Sequence, residues 1–85
     1  MLNFNQLPPS ILQSGILDQH YLEQLCTIDD IPLIDPVYND ERLKNIIQYY
    51  SINPEEMEKE LHQYAKELLD DGKIDEAWQI LLTAL

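Results

Sequence analysis

The chain has 85 residues, with sixteen Asp/Glu against five Lys/Arg, two His, two Gly and one Cys. Its formal charge of −11 argues against a phosphate-gripping nucleic-acid protein, which needs clustered cations. One cysteine excludes a disulfide framework and a Cys-rich zinc site, and 45% apolar content is too much for a disordered acidic tail.

The acid is unevenly placed. Residues 1–41 carry seven acids and no Lys or Arg, for a charge of −7; residues 42–85 carry nine acids and all five bases, for −4. A cation-free half repels anionic membranes and nucleic acid and steers a basic partner, or it serves solubility alone. No apolar run approaches the roughly 20 residues of a membrane helix. No basic, apolar leader opens the chain, so a cytoplasmic protein is expected.

The first seven residues read as a flexible arm. Pro8-Pro9-Ser10 starts a short helix that Gly15 ends, with Ile11 and Leu12 as anchors. Asp18 is the N-cap of a second helix over 19–27, with Tyr21, Leu22, Leu25 and Cys26 on its apolar side. Residues 29–38 contain Pro32 and Pro36, which forbid a regular helix and predict an extended connection. Asn39 or Asp40 caps a third helix to about Tyr50, with a stripe of Leu43, Ile46, Ile47 and Tyr50.

The fourth helix has the clearest start: Asn53 as N-cap, Pro54 at N1 and Glu56 at N3. Its stripe is Met57, Leu61, Tyr64, Ala65, Leu68 and Leu69, and Asp70-Asp71-Gly72 ends it. The fifth begins near Ile74, with Ala77, Trp78, Leu81, Leu82 and Leu85 on its apolar side. The short gap at Gly72 makes these helices antiparallel neighbours. The expected architecture is all-α, one domain of four to five short helices.

Over residues 58–85 the pattern Leu61, Tyr64, Ala65, Leu68, then Gly72-Lys73-Ile74-Asp75-Glu76-Ala77, then Leu81 and Ala84 resembles one tetratricopeptide repeat. The small Ala65 and Ala77 would let the two helices approach closely. The resemblance implies a protein-binding scaffold without a cofactor. It also implies that Leu81, Ala84 and Leu85 face a further layer, supplied by the N-terminal segment or by another chain. A homodimer is the simplest such arrangement. By the same resemblance, Lys59, His62 and Lys66 stand on the groove side of the first helix, where two cations would read an acidic tail or a carboxylate. The alternative is ordinary i,i+4 pairing, Glu55 with Lys59 and Lys66 with Asp70.

Catalysis has little support. His20 and Cys26 lie about 240° apart around one helix, and the serines fall in turns or caps. Asp29, Asp35 and Asp40 match positions 1, 7 and 12 of a calcium loop, but positions 3 and 5 lack acids and Ile34 replaces the required glycine. No metal or cofactor is expected. The expected partner-binding residues are Trp78, Leu81, Leu85, Lys59, His62, Lys66 and Tyr49. Tyr49 is either an interface anchor or ordinary rim packing. A non-enzymatic interaction module follows, as adaptor or self-associating domain. The alternative is an acidic inhibitor, such as an immunity or anti-defence protein, that blocks a cationic target by charge mimicry.

Overall fold

The structure, a computed structural model, describes residues 1–13, 15–32 and 40–83. Most of the predicted connection at 29–38, Asn39, Ala84 and Leu85 lie outside the described residues. The described chain is all-helical. A 3-10 turn at Phe4–Gln6 precedes α1 (Pro9–Gln13), α2 (Gln19–Leu25), α3 (Glu41–Tyr49), α4 (Pro54–Asp70) and α5 (Ile74–Thr83).

Three of the starts follow from their caps. The Asp18 side chain accepts from the Tyr21 N–H, Asp40 from Leu43 at 2.9 Å, and Asn53 from Glu56. α2 ends two residues earlier than its periodicity predicts. The Cys26 N–H already splits between the Leu22 and Glu23 carbonyls, and the Thr27 N–H closes a tighter turn onto Gln24. α4 ends in a Schellman motif: Lys73 N–H donates to Leu68 O at 2.8 Å and Gly72 N–H to Leu69 O at 3.0 Å. That geometry needs φ of +78° at residue 72, which glycine adopts without a Cβ penalty.

α4 and α5 pack on each other across this three-residue turn, and Ala65 and Ala77 are both fully buried. α2 lies against both helices and α3 against α4. Leu25, Leu43, Ile46, Leu61, Leu69 and Leu81 belong to the one core so formed. Two anchors face outward instead: Leu12 and Ile47 are exposed, while Ile11 and Leu43 take the buried places.

The flexible arm expected over residues 1–7 is corrected. Leu2 and Leu7 are buried, and the Leu2 N–H donates to the Cys26 and Ile28 carbonyls, both at 3.0 Å. Two leucines supply enough apolar surface to hold the segment on the end of α2. Seven residues are too few to show a period, so the pattern carried no sign of this docking.

Candidate functional site

The sequence-predicted site residues divide into three groups. Trp78 and Leu81 are 0% exposed. Both were expected on a partner surface; in the structure they are enclosed within this chain, and the N-terminal half supplies cover for Trp78. The Trp78 Nε1–H donates to the Leu25 carbonyl at 3.1 Å, so α2 closes over the indole and satisfies its one donor. Leu85 lies outside the described residues.

The polar stripe separates in two. Lys66 sits 5.3 Å from the centroid of the Tyr21 ring, on the side that faces α2. Tyr21 in turn donates to Asp70 at 2.8 Å, which pushes its phenol above the usual range. Lys59 stays largely exposed and meets Glu56 at 3.8 Å rather than Glu55. The expected i,i+4 pair of Glu55 and Lys59 is therefore replaced by an i,i+3 contact, and among the described residues Glu55 has no ion pair.

His62 is the unexpected member. It is 0% exposed, and neither ring nitrogen has a hydrogen-bond partner among the described residues. Its Nε2 lies 3.9 Å from Glu58 Oε1, too far for a hydrogen bond. Burial lowers its pKa, against the opposing pull of Glu58, so the imidazole is neutral at pH 7. A neutral imidazole offers one donor and one acceptor, and here both are idle. Each such buried group costs about 1–3 kcal/mol.

His62 lines an open cleft of about 440 Å³ between α1 and the first turns of α4. Ser10 and Gln13 contribute from α1, Ile16 from the turn after it, and Glu55, Glu58, Lys59 and His62 from α4. The four α4 residues follow i, i+3, i+4, i+7, one continuous face. Ser10 Oγ is also buried without a partner among the described residues. The cleft thus combines a solvated acidic rim with two polar side chains in its wall, Ser10 and His62, whose polar atoms have no partner among the described residues. It holds the residue types of a Ser-His-acid set, yet no hydrogen bond joins Ser10 to His62 or His62 to Glu58. Among the described residues no group of three His, Cys, Asp or Glu is placed to hold a metal.

The opposite kind of surface lies at the junction of α3 and α4. Ile47, Tyr49 and Ile52 are 41%, 74% and 94% exposed within six consecutive positions. Of the residues expected on a partner surface, Tyr49 is the one that stands clear as a large apolar group. Ile52 and the cleft residues Ser10, Gln13, Glu55 and Glu58 escaped the sequence reading. The α4 face was legible from its spacing, but the approach of α1 across it was not.

Comparison with protein-family models found no match, and neither the curated proteins nor the solved structures gave a significant one. No helix among the described residues is long and apolar enough to cross a membrane.

Proposed function

We propose that this chain is a small, non-enzymatic, acidic protein-interaction module that engages a partner through the junction of α3 and α4. One observation carries the reading. Among the described residues the molecule encloses its tryptophan and ten of twelve leucines, yet leaves Ile47, Tyr49 and Ile52 in water. Large apolar and aromatic groups in that state are the usual anchors of an interface. The hairpin of α4 and α5 acts as a single tetratricopeptide-like unit, a reading supported by the burial of the small residues Ala65 and Ala77, one on each helix. A cytoplasmic setting suits the one free, buried cysteine.

The test is affinity capture with the wild type beside a Tyr49→Ala/Ile52→Ser double variant. Both positions are exposed, so the variant should keep its thermal midpoint and lose the captured partner. A variant that retains the same partner at the same affinity overturns the reading. If the wild type self-associates in sedimentation and the variant does not, the partner is a second copy.

A second reading rests on the charge of −11, of which −7 lies in residues 1–41. An inhibitor that covers a cationic surface would lose affinity steeply with ionic strength. An apolar interface would not.

A further inference from the structure

We propose that the cleft between α1 and α4 is a binding site for a guanidinium group, presented as an arginine side chain by a basic partner. Glu55 and Glu58 hold its charge, and Ser10 and His62 complete the wall. The proposal rests on the reading of this chain as a protein-interaction module and names the chemistry of the partner. It is tested with a small arginine compound, so that the cleft and the apolar surface fail separately.

The charge of the lining comes first. Glu55 and Glu58 oppose one cation, Lys59, whose ammonium already meets Glu56 at 3.8 Å. An anion entering here faces two carboxylates with little to offset them. A cation finds four carboxylate oxygens, neither glutamate being bound in a hydrogen bond to its neighbour.

The hydrogen-bond inventory comes next. Ser10 Oγ and both His62 ring nitrogens are buried without partners beside this space. The neutral imidazole brings one acceptor nitrogen, the serine hydroxyl accepts as well, and Gln13 adds an amide oxygen. Each of these groups carries a donor beside its acceptor and the buried ones lie behind the surface, so the carboxylates of Glu55 and Glu58 decide the sign of the ligand. Glu55 and Glu58 stand one turn apart on α4, with Cβ atoms about 5–6 Å from each other. A planar guanidinium with five donors bridges such a pair, whereas a compact ammonium addresses one carboxylate at a time. The cleft, at about 440 Å³, lies within the ordinary range for small-ligand sites and accommodates a long side chain.

The probe is N-acetyl-arginine amide, with the matching citrulline and lysine compounds as controls. Citrulline keeps the shape and loses the charge. The readout is the imidazole signals of His62. The chain has two histidines, so a His62→Gln spectrum assigns them and His20 serves as the internal reference. The arginine compound should shift the His62 signals saturably and leave those of His20 in place. The citrulline and lysine compounds should bind at least tenfold more weakly. The Glu55→Gln/Glu58→Gln double variant should lose tenfold or more in affinity for the arginine compound while its thermal midpoint holds. No saturable shift at millimolar arginine compound overturns the proposal. So do equal binding of the citrulline or lysine compound and unchanged affinity in the double variant. Arginine binding that survives Tyr49→Ala/Ile52→Ser, in a chain whose partner is also unaffected by that change, leaves the cleft standing and removes the apolar surface.

Discussion

His62 shows how one side chain can tie stability to pH. Its pKa in the fold lies below the ordinary value because burial disfavours the imidazolium, and Glu58 offsets this only in part. In the unfolded chain the ring titrates near 6.5. Between these two values the unfolded state binds a proton that the folded state does not. Stability contributed by the neutral ring is therefore complete above about pH 6.5 and is lost as the pH falls toward the folded pKa. A His62→Leu variant fills most of the same space without the polar atoms. It should match or exceed the wild type in denaturant midpoint, because two orphaned groups disappear. The gap should widen from pH 7 to pH 5.5. Parallel curves over that range would mean that the ring does not stay neutral in the fold. The opposite case is Trp78, whose single donor is satisfied by Leu25 and which has no comparable penalty.

Among the elements, α3 is held by the residue that begins it. Asp40 uses one carboxylate oxygen to cap the Leu43 N–H, while the other accepts from the Tyr64 hydroxyl on α4. Arg42, the second residue of α3, lies 4.5 Å above the Tyr64 ring centroid and pairs with Glu67. Burial first, and then the bond to Asp40, push the Tyr64 phenol up to about 12. The unfolded phenol titrates near 10. The contribution of this contact is thus full below pH 10 and is lost as the pH climbs toward 12. Asp40→Ala should cost about 1–2 kcal/mol through the lost cap. The same variant should bring the last-titrating tyrosine down toward the ordinary range in a phenolate absorbance titration. A titration curve identical to the wild type would place the cause elsewhere. The sequence narrowed this cap to Asn39 or Asp40 and marked Asn53-Pro54 and the Gly72 stop outright, because capping is decided within four residues. The bond from Asp40 to Tyr64 was not, since 24 residues separate the partners and no local rule links them.

The same division holds for the whole molecule. The interior faces of α3, α4 and α5 follow from their 3.6-residue period: Leu43, Ile46, Leu61, Ala65, Leu68, Ala77 and Leu81 all lie where that period puts them, and Ile47 alone of the α3 stripe is exposed. What escaped was the assignment of lids. The apolar side of α5 called for a cover, and periodicity does not say whether the cover comes from residues 1–28 or from another chain. For the same reason the His62 face, polar by residue type, gave no sign that α1 would close over it. The candidate cleft was half legible: its α4 members share a face by spacing alone, while Ser10 and Gln13 reach it only through the tertiary path of the chain.

The bond from Trp78 to Leu25 joins positions 53 residues apart, with the connection over 33–39 between the two halves. Cover and hairpin therefore meet across a seam within the one core. A nick within that connection should leave them able to recombine. Peptide 1–32 added to peptide 40–85 should restore a tryptophan emission shifted to the blue, with an affinity set by the surface that buries Leu25, Trp78 and Leu81. If emission stays that of a solvated indole at every concentration, the connection itself is needed for closure. The seam that hides Trp78 inside one chain would serve, once cut, as a split reporter with its own fluorophore.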